Sequence, residues 1–160
     1  MSQGKPKFKP GARMEAYRKL IDAIKAGDME TATSLEAEDV EINEVASLPW
    51  GGTRRGRQGG LEIGANLASQ FETSETTIEH MAEFDDDGLF VLARMRGVAK
   101  KTLSPIDEYY FEVLWYNEDL QFYKQRIAFG DDVRLLRALG YTTFPDQRVP
   151  VPYPYHGSGE

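Results

Sequence analysis

The sequence contains no cysteine and only two histidines, His80 and His156. The missing cysteine excludes disulfides, thiolate metal sites and a cysteine nucleophile. A zinc site would have to recruit carboxylates to complete its ligand set, so we expect no bound metal and no cofactor. No apolar run is long enough to span a bilayer, and the first residues lack the apolar core of a signal peptide. By default we expect a cytoplasmic protein.

Basic residues are outnumbered by acidic ones, which gives the 160-residue chain a net charge of −7 and a pI near 5.0. An acidic surface repels nucleic acid and anionic membranes, so we exclude both as partners. The length suits one domain with a sizeable core. We assign residues 1–12 to a flexible basic arm, 13–140 to the domain, and 141–160 to a tail rich in proline and tyrosine.

Glycine is concentrated in residues 48–60, which hold five glycines, one proline and three arginines. Glycine tolerates a positive φ and close approach by other atoms, and Pro49 stiffens the entry, so the chain turns sharply here. Trp50 is an unusual residue for such a loop. It is either a lid over the core or a contact for a ligand, and we include it among the candidate ligand-binding residues.

The hydrophobic pattern changes period along the chain. Apolar residues recur at helical spacing over 13–26 and 60–71, residues 40–46 alternate as a strand does, and four further alternating segments follow before a last short helix. This order predicts an α+β fold, a cone-shaped, curved, mostly antiparallel sheet wrapped around three N-terminal helices, with a short C-terminal helix and an extended tail. The open end of such a cone suits a hydrophobic small molecule.

Two carboxylates fall on strand faces that are otherwise apolar. Glu44 comes after Val40 and Ile42 at alternate positions, so all three side chains point to the same face of that strand. Asp107 is the first residue of a strand face whose following members are mostly aromatic. A carboxyl in an apolar pocket favours its protonated form, while one nearer the mouth stays ionised, and such a pair transfers protons without a cofactor. The alternatives are a bulge that turns Glu44 to solvent and a turn hydrogen bond for Asp107 at its strand start.

Four short motifs follow one another along the chain: AGD at 26–28, AEDV at 37–40, LPWGGT at 48–53 with RG at 55–56, and PID at 105–107. In these motifs and in its order of elements, the chain over residues 13–140 resembles the SnoaL-like and ketosteroid-isomerase-like branch of the nuclear-transport-factor-2-like superfamily. The LPWGGT run resembles a loop of the SnoaL-like polyketide cyclases. The PID run resembles the isomerase segment that carries a protonated oxyanion-hole aspartate.

The resemblance implies roles for individual residues. Glu44 matches the isomerase's general base, so we expect it to be the ionised carboxyl nearer the mouth and water. Asp107 matches its oxyanion-hole aspartate, so we expect it to be dry and protonated. The isomerase's oxyanion-hole tyrosine is replaced by Leu20, and Tyr17, one turn earlier on the same helix face, is the candidate substitute. In a cyclase the acid/base aspartate would be matched most nearly by Asp131, which serves equally well as a helix N-cap.

Four further side chains are candidate ligand-binding residues. His80 shares a strand parity with Ile78 and Ala82, and it is either a proton shuttle facing the cavity or a histidine satisfied in the core or an interface. The other three lie on the face that Asp107 leads, where they line the cavity or simply fill the core: Tyr109, Phe111 and Trp115.

The predicted function is a cofactor-independent acid/base enzyme, an isomerase or aldol-type cyclase, acting on a hydrophobic carbonyl compound of polyketide or steroid type. The alternative is a non-catalytic small-molecule-binding or dimerisation module of the same fold. The strand that begins near Asp107 has a second face, opposite to the Asp107 face, which mixes aromatic and charged side chains. It predicts a sheet-to-sheet homodimer through Glu108, Tyr110, Glu112 and Tyr116.

Overall fold

A computed structural model of the protein describes residues 8–142. Its elements are α1 (Ala12–Ala26), α2 (Met29–Ser34), β1 (Glu36–Glu44), β2 (Gly52–Arg55), α3 (Gly56–Gln70), β3 (Phe71–Phe84), β4 (Gly88–Ala99), β5 (Pro105–Tyr116), β6 (Phe122–Phe129) and α4 (Asp132–Ala138). The predicted arm and tail lie mostly outside the described residues. Within residues 8–142 no helix has the length and apolar character needed to cross a membrane.

Six strands form one sheet in the order β2-β1-β6-β5-β4-β3. The β1–β6 pair is parallel and the other four pairs are antiparallel. Helices α1 and α3 lie over one face, which we call the inner face, and leave the opposite, outer face uncovered in the described chain. The predicted α+β fold is confirmed. The short strand β2 forms inside the glycine-rich stretch, where four residues carry too little alternation to predict it.

Helix α1 is held to the sheet at its N-terminus by a residue from β3. The side chain of Glu83 accepts hydrogen bonds from the backbone N–H groups of Gly11 and Arg13, each at 2.9 Å. These donors have no partner inside the helix, so the contact replaces a local cap. At the other end Gly27, with φ of 71°, ends the helix in the left-handed conformation, as its position in the sequence predicts.

Strand β5 buries the face opposite to the one that was predicted to lie inside. Side chains at even positions from Ile106 to Tyr116 are buried, and those at odd positions are exposed or half-buried. The acids on the inner face are tolerated because distant elements supply partners: Arg134 of α4 pairs with Glu108, and Gln125 of β6 bonds Glu112. The predicted dimer surface is therefore wrong, since the structure buries its four members, Glu108, Tyr110, Glu112 and Tyr116.

Strand β3 contains a bulge that reverses its side-chain alternation. Ile78 pairs with Ala93, yet the next pair joins His80 to Leu92, so Glu79 is the extra residue. Ile78 packs against the core, whereas His80 is exposed and lies across from a side chain of the outer face. The predicted cavity position of His80 is wrong, because strict alternation does not hold through a bulge.

Candidate active site in the cavity between helices and sheet

A cavity of about 430 Å³ lies between α1, α3 and the inner face of the sheet. Its volume is in the range of small-molecule sites. Most of its wall is aliphatic or aromatic, with contributions from Leu20, Ile24, Ile42, Ile63, Leu67, Phe71, Met95, Phe122 and Ile127. The polar side chains that line it are Glu36, Thr73, Glu112 and Gln125.

Glu112 places a carboxyl in the wall of this cavity. The residue is only 9% exposed, and its Oε2 atom accepts a hydrogen bond of 3.1 Å from Gln125 Nε2. Burial raises the pKa of Glu112 to about 7, against the opposing effects of Tyr17 and Gln125 and with a further rise from the charge of Glu44. Glu112 is therefore a carboxyl that exchanges a proton near neutral pH.

Tyr17 of α1 lies beside Glu112, fully buried. Its hydroxyl faces the carboxyl and the Tyr110 hydroxyl but falls short of hydrogen-bond geometry with either. Burial, and then the negative charge of Glu112, raise the pKa of Tyr17 well above its ordinary value, so the phenol stays protonated. Tyr17 does not line the cavity. The structure thus places Tyr17, a predicted site residue, next to a carboxyl group, and that carboxyl belongs to Glu112.

Glu44 lies in the same cross-strand row as Glu112. Ile127 of β6 pairs with Glu112 on one side and with Glu44 on the other. The predicted burial of Glu44 is confirmed, since the residue is 0% exposed. The predicted position nearer to water is wrong: the structure gives neither carboxylate oxygen a hydrogen-bond partner, and Glu44 does not line the cavity.

The surroundings of Glu44 come from the glycine-rich stretch and from α4. Burial raises the pKa of Glu44, while the indole N–H of Trp50 and the charge of Arg54 lower it, and Asp132 raises it. Trp50 is 6% exposed and its Nε1 atom faces the acid without completing a hydrogen bond. Trp50 packs into the buried core and does not line the cavity, so of the two alternatives the structure favours the lid over the core.

Glu36 supplies the second carboxyl of the cavity. It is half-buried at the start of β1, and its Oε2 atom is buried without a hydrogen-bond partner. Arg57 of α3 donates from Nε and Nη2 to the backbone oxygen of Glu36, at 3.0 and 2.7 Å. Burial raises the pKa of Glu36 to about 7, and the charge of Arg57 opposes this rise. The sequence offers no signal for it, because Glu36 precedes the alternating segment.

Asp107 is on the outer face, and its predicted role as a dry, protonated acid is wrong. Its two oxygens accept hydrogen bonds from Arg94 Nε and Nη2, at 2.6 and 2.8 Å, and its side chain is 48% exposed. The Arg94 guanidinium holds the pKa of Asp107 below its usual value. Asp107 is ionised at neutral pH as half of a surface ion pair.

The aromatic residues of the Asp107 face also lie outside. Tyr109 and Phe111 are 38% and 37% exposed, and Trp115 is half-buried. The Arg94 guanidinium lies over the Tyr109 ring at 5.4 Å, and Lys124 Nζ lies over the Trp115 ring at 5.0 Å. None of the three lines the inner cavity. Asp131, the alternative acid of a cyclase, accepts a hydrogen bond from the backbone N–H of Arg134 and is the N-cap of α4.

Two comparisons of the sequence find no relative. No protein-family model matches the chain. No curated protein matches it either.

Solved structures are similar to this one over most of its length. An NTF2-like protein of unknown function from Burkholderia pseudomallei has a TM-score of 0.71 and 16% identity, covering 81% of this chain and 98% of that one. A candidate isomerase from Rhodopseudomonas palustris has a TM-score of 0.67 and 16% identity, covering 83% of this chain and 100% of that one. A candidate SnoaL-like polyketide cyclase from Mesorhizobium loti has a TM-score of 0.58 and 14% identity, covering 71% of this chain and 96% of that one. The protein has the nuclear-transport-factor-2-like fold, as the resemblance in its sequence implies.

Proposed function

We propose that the protein is a cofactor-independent acid/base enzyme, an isomerase or aldol-type cyclase for a hydrophobic carbonyl compound of polyketide or steroid type. One observation carries the proposal: Glu112 is a buried carboxyl in the wall of an apolar cavity, and its pKa of about 7 suits proton transfer at neutral pH. The names of the isomerase and cyclase neighbours agree with this chemistry, although the fold itself hosts many functions.

In the proposed reaction the Glu112 carboxylate accepts a proton from the carbon next to the substrate carbonyl. The C–H bond breaks, its electron pair forms the enolate, and Glu112 becomes neutral. Returning the proton to another carbon completes an isomerisation. In an aldol cyclisation the enolate carbon attacks a second carbonyl, whose π electrons move to its oxygen, and Glu112 returns its proton to that alkoxide. The Gln125 amide carries two N–H groups, of which Glu112 takes one, so the other is a donor for the enolate oxygen.

The test is exchange of α-protons in a simple apolar ketone. Deuterium incorporation into 2-tetralone in D₂O, followed by NMR, should be catalysed by the protein, with a rate that rises with pH through about 7 as Glu112 ionises. Glu112→Gln should lower the catalysed rate by about 10²- to 10⁴-fold, the usual contribution of a general base. Asp107→Asn is the matched control on the outer face of the same strand, and it should leave the rate within about twofold.

A non-catalytic binding module is the second candidate, and the largely apolar wall of the cavity favours it. The two functions differ in one result. If 2-tetralone binds, as chemical-shift changes of the protein would show, and its α-protons exchange no faster than in buffer, the protein is a binding module and the enzyme proposal fails.

A further inference from the structure

Glu36 and Glu112 lie at different depths of the cavity. Along the shared neighbour β6, Glu36 pairs with Phe122 and Glu112 pairs with Ile127. These two positions are five residues apart, and the register shift at Tyr123 leaves about four regular rises between them, or about 13 Å. The proton transfer proposed at Glu112 therefore makes no use of Glu36, and the second carboxyl needs an explanation of its own.

The wall around Glu36 leaves room for its carboxyl and leaves that carboxyl incompletely bonded. A Cβ atom at Gly60 would lie 2.9 Å from both carboxylate oxygens, so the glycine of α3 makes the space that they occupy. Oε2 has no hydrogen-bond partner. The nearby cation, Arg57, directs Nε and Nη2 to the backbone carbonyl of Glu36 and does not line the cavity.

The polar lining of the cavity has one sign of charge. In residues 8–142 no lysine, arginine or histidine lines it, while two carboxyls do. A ligand carboxylate would enter an apolar space that holds acids and no cation to pair with, so its desolvation would go uncompensated. A ligand ammonium would instead meet the Glu36 carboxylate in the cavity wall, and the pairing of opposite charges offsets the desolvation of both.

We infer that the cavity selects apolar molecules that end in a protonated amine, which the Glu36 carboxylate binds, and that it rejects apolar carboxylates. The inference concerns the cavity of the proposed function and, together with that function, makes the substrate a carbonyl compound with a basic nitrogen. The apolar body of the ligand packs against α1 and α3, on side chains such as Ile24 and Leu67. Recognition of the amine itself does not depend on chemistry at Glu112.

Amine binding is linked to the ionisation of Glu36. The pKa of this carboxyl is about 7 in the free protein, where burial raises it and Arg57 is the charged group that acts on it. An alkylamine with a pKa near that of lysine, about 10.4, stays protonated throughout. The ionised fraction of Glu36 rises from about one-eleventh at pH 6 to about ten-elevenths at pH 8, so affinity for the amine should rise about tenfold.

The experiment compares nonylamine, nonan-1-ol and nonanoate by titration calorimetry against the full chain at pH 6, 7 and 8. Nonylamine should bind most tightly at pH 8, with the tenfold gain over pH 6, and nonanoate should not bind. Glu36→Gln should remove both the amine preference and its pH dependence while nonan-1-ol still binds. Glu38→Gln is the matched control, because it makes the same change on the same strand at an exposed position.

Three results would overturn the inference: nonanoate binding as tightly as nonylamine, an amine affinity independent of pH in the wild type, or an amine preference that survives Glu36→Gln. The first two results are measured on the wild type, so they test the inference even if the Glu36→Gln protein misfolds. None of the three touches α-proton exchange at Glu112. Failure of all three molecules to bind would instead remove the cavity as a ligand site and overturn both proposals.

Discussion

Replacing Glu112 with glutamine should make the folded protein clearly more stable at pH 8 and only slightly more stable at pH 5. Glutamine has almost the same shape as the protonated acid and cannot ionise. At pH 5 the wild-type carboxyl is protonated in the fold, because its pKa there is about 7. Above that value, folding forces a charge into the cavity wall, and the unfolded chain exposes the same charge to water.

The magnitude follows from the difference between the two pKa values of Glu112. The folded value of about 7 lies above the ordinary value of 4.5 that the unfolded chain has. Between these two pKa values the unfolded chain binds fewer protons, so stability falls as pH rises. A pKa difference of one corresponds to about 1.4 kcal/mol. Ionising Glu112 in the folded protein therefore costs about 3 kcal/mol in full at about pH 8 and above, and Glu112→Gln removes that cost.

Urea unfolding at pH 5, 6, 7 and 8 measures the difference. The free energy of unfolding of the wild type minus that of Glu112→Gln should become more negative by about 2.5 kcal/mol across this range, because part of the cost is already present at pH 5, where the unfolded carboxyl is largely ionised. Asp107→Asn is the control, because Arg94 lowers the pKa of that acid and places its titration below the range. Parallel curves for the wild type and Glu112→Gln would refute the buried state of the acid, and with it the basis of the enzyme proposal.

The remaining predictions concern proton exchange and assembly. Glu44→Gln removes the charge that raises the pKa of Glu112, so the pH–rate profile of 2-tetralone exchange should have its midpoint at a lower pH. Loss of exchange at every pH would instead make Glu44 itself the base. Tyr17→Phe should move the midpoint up, since the hydroxyl lowers that pKa, and an unchanged midpoint would separate Tyr17 from Glu112. We also propose a homodimer through the exposed aromatic residues of the outer face. Phe111→Arg should yield monomers in sedimentation velocity while Leu103→Arg, on an exposed turn, should not, and a wild-type monomer at micromolar concentration would end this proposal.

The fold was predictable from the sequence because its signals are local. Helical spacing marks α1, and Gly27 ends it where the left-handed conformation is observed. Asp28 and Asp131 stand at the positions from which their side chains cap α2 and α4. Each signal depends on residues within a turn or two of each other, so no tertiary information is needed to read it.

The faces of β5 were not predictable, because alternation shows that a strand has two faces without showing which one is covered. Both parities of this strand carry aromatic residues and acids. The outer parity includes Asp107 beside Tyr109, and the inner parity includes Glu112 beside Tyr110. Ordinary propensities favour burying the more aromatic set, and that choice gives the wrong answer here.

The deciding interactions are contributed by residues far away in the chain. Burying Glu112 is tolerable because Gln125 of β6 supplies a hydrogen bond and Tyr17 of α1 faces the acid, whereas Asp107 is satisfied in the open by Arg94. The same physics that predicts a raised pKa for a buried acid therefore holds, but it applies to the residue that distant partners allow to be buried. A glutamine that shares its strand face with an apolar residue, as Gln125 does with Ile127, is the sequence feature that points to such an acid, since its amide needs a polar partner if that face is buried.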